Sequence, residues 1–220
     1  LQSIEEMAGI DILCSDKTGT LTQNKLTLGE PAVFAADDAQ DLILAGALAS
    51  KAEDKDAIDL AVIGGLADPG VLDGYTQTGF IPFDPVNKRT EGQITGPDGK
   101  AFKTTKGAPQ VIMQLAGLAG DEVTRADKLV EEYAGKGYRT LGVARTDDQG
   151  ESWHFLGILP LFDPPREDSR ETIRQAGLHG IDVKMVTGDN TAIAREIAGQ
   201  LKLGTAIQPA GDLLTQAASQ

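Results

Sequence analysis

The sequence predicts an α/β protein in which a parallel-sheet domain, built from both chain ends, is interrupted by an inserted α+β domain with an antiparallel sheet. Three observations carry this. Residues 10–14 and 183–186 are short apolar runs, each followed by a threonine- and glycine-bearing loop and then a helical pattern. Residues 76–105 read as successive strands joined by turn signals, as an antiparallel sheet does. The order of strands and helices at the two ends suits a parallel sheet, whereas the middle does not.

The elements follow in order. Ile10–Cys14 is expected to be a short buried strand ending at Asp16. Residues 40–50 and 55–66 carry apolar side chains at helical spacing, and Asp54 or Lys55 is placed to open the second helix. Strands are expected at 76–83, 88–95 and 100–105, the last two joined by Gly96-Pro97-Asp98-Gly99. Helices follow at 107–119 and 121–135, then strands at 138–145 and 153–161. Pro164 and Pro165 are expected to open a helix running to Leu178, because proline suits the first helical turn. Val183–Val186 is a strand, and Asn190–Leu201 a helix with Ala192, Ile193, Ile197 and Leu201 on one side. The expected division is 1–30 and 161–220 for the parallel domain and 31–160 for the insert.

Composition excludes some functions. The 220 residues carry 33 acids against 20 bases, a net charge of −13, which argues against nucleic acid as a partner. One cysteine allows no internal disulfide and fits a reducing setting. No apolar run approaches the roughly 18 residues that span a bilayer, and residues 1–8 lack the basic start of a signal peptide. The insert holds 20 acids and 12 bases, yet Lys88, Arg89, Lys100, Lys103 and Lys106 fall close together. A basic island in an acidic domain suits a small anionic ligand; ordinary solvated lysines are the plainer reading.

"DKTGTLT", residues 16–22, places Asp16 at the carboxyl end of the first strand, where α/β folds hold their ligands. Backbone amides of the Thr-Gly-Thr loop can cradle a phosphate. A carboxylate there can attack phosphorus and form an acyl phosphate; the plainer reading is a turn cap. "MVTGDN", 185–190, repeats the strand–Thr-Gly-Asp–helix pattern, with Thr187 a donor to a phosphoryl oxygen or Asp189 a helix cap. "FDPPRED", 162–168, leaves Asp163 and Arg166 as charges just outside a strand end. Cys14, Met113 and Met185 read as core, and His154 and His179 have no assigned role.

"DKTGTLT", "DPPR" and "MVTGD", in this order with an insert after the first, resemble the P-type ATPases, whose phosphorylation domain has a haloacid-dehalogenase-like fold. "FDPVNKRT" (83–90), "KGAP" (106–109) and "GYRTLGVA" (137–144) resemble that family's nucleotide-binding domain. "EDKDAID" (53–59) and "NKRT" resemble its plasma-membrane proton-pump subgroup. The resemblance implies ATP as substrate and Mg²⁺ as cofactor. It implies Asp16 as phosphoryl acceptor, Lys17 neutralising developing charge, and Thr18 contacting phosphate while its carbonyl ligates Mg²⁺. Thr187, Gly188 and Asp189 would line the phosphate region, and Asp163 the nucleotide or the hinge. In the insert, Phe83 would stack on adenine beside Lys106 and Gly107. Lys88 and Arg139 would face the polar parts of the nucleotide, and Asp56 or Asp59 the adenine edge.

The second residue after the nucleophile is an acid in many phosphatases of the superfamily and is Thr18 here, so an acyl phosphate is expected to persist. The family continues with a lysine and a Gly-Asp-Gly-Val-Asn-Asp stretch that these 220 residues lack, along with membrane helices and an actuator domain. The expectation is therefore a soluble catalytic piece of a pump at the cytoplasmic face of the plasma membrane, with the parent's membrane and actuator domains as partners. A catalytically silent ATP-binding module and a stand-alone phosphatase are the alternatives.

Overall fold

The computed structural model describes residues 9–147, 152–189 and 191–209. Asn190, the expected start of the last helix, lies outside the described residues. The chain divides into two compact units. One takes Leu1–Lys25, Gly135–Gly137 and Asp163–Gln220, and the other Leu26–Ala134 and Tyr138–Phe162. The crossings lie a few residues from the expected boundaries near 30 and 160, and the Gly135–Gly137 turn groups with the terminal segments.

In the first unit, strands β1 (Ile12–Asp16) and β9 (Asp182–Val186) pair in parallel, with Asp16 opposite Val186. Helices α5 (Ser169–Leu178) and α6 (Thr191–Gln200) accompany them. Leu21, Ile197 and Leu201 form a small core, with Ile173, Met185 and Leu203 against it. Strand β1 is not the buried strand expected. Ile12 is 56% exposed and Leu13 47%, because β9 is its one pairing strand among the described residues. Cys14 is exposed for the same reason. Helix α5 begins at Ser169 and not at the prolines. Pro165 instead bridges Thr22, and the Arg166 amide donates to the Leu21 carbonyl at 3.0 Å, so this stretch is held as an extended turn.

The second unit is a seven-stranded sheet with helices on both faces. Its strands are β2 (Thr27–Leu28), β3 (Ala32–Val33), β4 (Thr76–Ile81), β5 (Arg89–Thr95), β6 (Ala101–Gly107), β7 (Arg139–Thr146) and β8 (Trp153–Phe162). The order is β2-β8-β7-β6-β5-β4, with β3 also on β8, and the printed pairings are antiparallel. Helices α1 (Ala39–Leu48) and α2 (Ala57–Ile63) bury Leu42, Ile43 and Val62 against Leu141, Val143, Leu159 and Leu161. Helices α3 (Pro109–Leu115) and α4 (Asp121–Gly135) bury Ile112, Met113 and Ala126 against Ala144, Phe155 and Ile158. The side chain of Asp38 caps α1 through the Asp41 amide, as an N-terminal carboxylate does. Asp56, not Asp54 or Lys55, caps α2; a 3₁₀ turn at Ala52–Asp54 occupies the expected start. The β5–β6 hairpin closes through the Gly96 amide on the Lys100 carbonyl, 2.8 Å.

Candidate functional site

Each unit holds a candidate site. In the first unit, the chain leaves β1 at Asp16 and turns tightly through Lys17–Leu21. The turn needs Gly19, whose φ of +79° is the left-handed region that favours glycine. No heavy atom approaches the place of a Gly19 Cβ closer than 3.7 Å, so backbone conformation and not space selects the glycine. Asp16, Thr18 and Gly19 are exposed, which leaves the carboxylate accessible.

The parallel pairing puts the end of β9, and so Thr187-Gly188-Asp189, beside Asp16. The Asp189 amide donates to Thr187 Oγ1 at 3.1 Å. Thr187 therefore keeps its hydroxyl proton as a donor. Lys17 is buried, and its Nζ lies 3.0 Å from Asp189 Oδ2. The expected charge-neutralising lysine is thus paired with a carboxylate, which ties the two strand-end loops together. Asp163 lies where the chain leaves and re-enters this unit. Its carboxylate accepts from the Thr22 hydroxyl and, at 3.1 Å, from the Lys25 amide.

In the second unit, a cavity of about 1060 Å³ brings together Asp56, Asp59, Phe83, Lys88, Lys106, Gly107 and Arg139. It also takes Phe80, which the sequence reading missed. Phe80 sits on a strand, where an aromatic carries no signal beyond ordinary strand packing. Phe83 is 61% exposed, so it is not core. It precedes a tight turn held by Asp84, whose carboxylate accepts from the amides of Val86 at 2.9 Å and Asn87 at 3.3 Å. The Val86 amide is the main cause that holds the Asp84 carboxyl below its usual range. Lys88 ends the turn with φ of +51° and accepts the Ala108 amide at 3.0 Å. This close approach requires Gly107, since a Cβ there would lie 2.3 Å from the Lys88 carbonyl oxygen.

Lys106 lines the cavity as a buried side chain. It is 3% exposed. Its Nζ donates to the Ala49 carbonyl at 2.7 Å and Thr90 Oγ1 at 3.1 Å, and pairs with Asp59 Oδ1 at 2.8 Å. Those three partners match the three donors of an ammonium. Burial is the larger effect on Lys106 and lowers its pKa, and the Asp59 charge opposes that shift. Asp59 Oδ2 accepts the Lys51 amide at 2.8 Å. Asp56 accepts the amides of Ile58 and Asp59 at 2.9 and 3.1 Å. Among the residues lining the cavity, Phe83, Lys88 and Arg139 are exposed, whereas Lys106, Asp59 and Thr90 are buried.

The haloacid dehalogenase-like hydrolase family matches residues 10–218 of this chain. A protein of Methanocaldococcus jannaschii named "Putative cation-transporting ATPase" is 45% identical over 217 residues. That match covers 97% of this chain and 26% of the relative, so the chain spans about a quarter of the relative's length.

Proposed function

The chain belongs to the haloacid dehalogenase-like hydrolases, and on that footing we propose that it is the ATP-binding, phosphoryl-accepting region of a cation-transporting P-type ATPase. The observation that carries the reading is Asp16. It is an exposed carboxylate at the carboxyl end of β1, register-paired to the strand that delivers Thr187, with a threonine at position 18. The 45% identity to a protein named for cation-transporting ATPase activity supports the same reading.

In the proposed reaction, an Asp16 carboxylate oxygen attacks the γ-phosphorus of ATP. The bond to the β–γ bridging oxygen breaks, ADP leaves with that oxygen, and an aspartyl phosphate remains. The Thr187 hydroxyl and the amides after Asp16 supply donors to the transferred phosphoryl oxygens. Asp16 and the Thr18 carbonyl are hard oxygen donors of the kind Mg²⁺ takes together with substrate phosphates, and no group of three acidic, histidine or cysteine ligands occurs among the described residues. Mg²⁺ held there would offset charge on the transferred group. Thr18 cannot act as a general base, which favours a lasting acyl phosphate over a phosphatase cycle.

ATP itself is assigned to the cavity of the second unit, with adenine on Phe83 and the polar parts toward Lys88 and Arg139. The same proposal extends to the parent's transported ion, a proton by the wording of residues 53–59 and 87–90. It also extends to its membrane and actuator domains and its place at the cytoplasmic face of the plasma membrane. Among the described residues no helix is long and apolar enough to cross a membrane. An NMR titration with ATP tests the cavity assignment: shifts are expected at Phe83, Lys88 and Arg139, and shifts that avoid them contradict it. Steady turnover of a generic phosphate ester would favour the phosphatase reading.

A further inference from the structure

We propose that Asp163 and Thr22 are a positioning pair that sets the loop carrying the phosphoryl acceptor; the proposal deepens the phosphoryl-transfer reading and rests on it for its kinetic consequence. Thr22 is fully buried. Its Oγ1 lies 2.5 Å from Asp163 Oδ2, 3.1 Å from the Lys17 carbonyl and 3.4 Å from the Gly19 amide nitrogen. A hydroxyl has one proton to donate. The Lys17 carbonyl already accepts the Thr22 amide at 3.0 Å. The hydroxyl proton therefore goes to the carboxylate, where charge assistance makes the stronger bond. The hydroxyl lone pairs then receive the Gly19 amide, at the left-handed bend of the turn.

The second Asp163 oxygen accepts the Lys25 amide at 3.1 Å. One carboxylate thus joins the turn after Asp16 to two of the points where the chain crosses the unit boundary, at Lys25 and at Asp163. The surroundings hold Asp163 in this place. The Gln23 amide donates to the Pro164 carbonyl at 3.0 Å, the Arg166 amide to the Leu21 carbonyl at 3.0 Å, and Ser169 Oγ to the same carbonyl at 2.9 Å. Asp163 is therefore assigned to holding the loop and not to contacting nucleotide. Loss of the pair frees the Gly19 bend, so the loop amides no longer wait in the geometry phosphoryl transfer needs. Nucleotide affinity should be largely spared, because Phe83, Lys88 and Arg139, assigned to adenine and the polar parts of the nucleotide, belong to the other unit.

The test uses the full-length gene product with Thr22→Val, Thr22→Ser, Asp163→Ala and the Thr22→Val/Asp163→Ala double variant. Rapid-quench labelling with γ-labelled ATP and Mg²⁺ reads the phosphorylation rate, and calorimetry reads the ATP dissociation constant. Thr22→Val and Asp163→Ala should each slow labelling about 10- to 100-fold, the cost of small misplacements at a reacting centre. The dissociation constant should stay within about twofold, and Thr22→Ser should keep a near-normal rate. The double variant should fall well short of the product of the two single losses, since both singles break the same Thr22–Asp163 hydrogen bond. Labelling at the normal rate in Thr22→Val, or losses that multiply in the double variant, would overturn the pair. Hydrogen exchange supplies a readout independent of the reaction. The Gly19 amide should exchange faster in Thr22→Val, and the Lys25 amide faster in Asp163→Ala, at unchanged melting temperature. Unchanged exchange at both would overturn the pair. If the wild type forms no Asp16-dependent phosphoenzyme, the functional reading fails and the exchange result alone decides the positioning pair.

Discussion

Lys106 Nζ lies 2.8 Å from Asp59 Oδ1, and both side chains are less than one-tenth exposed. Two charges removed from water in this way need each other. Asp59→Ala would leave the ammonium with neutral partners only, and Lys106→Met would leave the carboxylate with the Lys51 amide. Each single change is expected to cost about 3–5 kcal/mol, the range for breaking a buried pair. The Asp59→Ala/Lys106→Met double variant should lose less than the sum, because it leaves no uncompensated charge. Urea unfolding of the four proteins checks this. Additive losses would mean that the two charges do not interact.

The same lysine gives a pH dependence. Burial holds its pKa below the ordinary 10.5, with Asp59 only partly opposing. Between the lowered value and the ordinary one, the unfolded chain keeps the lysine proton and the folded chain has lost it. The unfolded state then binds more protons, so this group's contribution to stability rises with pH through that window. Below the window the cost of burying the charge is fully present. The stability of wild type relative to Lys106→Met should therefore increase as the pH rises toward the ordinary lysine value. A difference that is flat or falls over this range would show that the lysine is not desolvated as the geometry requires.

Phe83 is the exposed aromatic at the cavity mouth. Phe83→Ala should weaken ATP binding by about 1–3 kcal/mol, the usual worth of a base-stacking platform. Because the side chain is exposed, the melting temperature should barely move. Equal ATP affinity in wild type and variant, measured by calorimetry, would remove adenine from this position.

The two units should differ in local stability. The second unit buries Leu42, Val62, Ile112, Val143 and Ile158 on the two faces of a wide sheet. The first pairs β1 with β9 and leaves Ile12 and Val186 each 56% exposed. Native-state hydrogen exchange is expected to be slower in β6, β7 and β8 than in β1 and β9. The reverse order would contradict the packing argument.

How far the sequence could be read follows from which forces are local. Helical spacing at 40–50 and the Gly96–Gly99 turn are local signals, and both appear where expected. The burial of β1 is not legible locally, because an apolar run reports what a strand can pack against, not what is there. The two-residue strands β2 and β3 have too few side chains for a period-2 pattern, and their pairing with β8 is a tertiary outcome. Pro164 and Pro165 looked like a helix start because proline fits there; the bridge to Thr22, far away in sequence, overrides it. At the cavity, residue types were legible but their partners were not. Nothing in "KGAP" shows that the Lys106 ammonium is consumed by Asp59, Thr90 and the end of α1. Likewise "DPPR" does not reveal that Asp163 is bound to Thr22 and Lys25.

Asp16 stands as the proposed acceptor of a phosphoryl group from ATP. The most direct measurement is incubation of the full-length gene product with γ-labelled ATP and Mg²⁺, an acid quench, and then hydroxylamine, with Asp16→Asn alongside. The expected result is an acid-stable label that hydroxylamine releases, that persists because Thr18 offers no general base, and that is absent from Asp16→Asn. Label that forms equally in Asp16→Asn, or that hydroxylamine leaves in place, would contradict it.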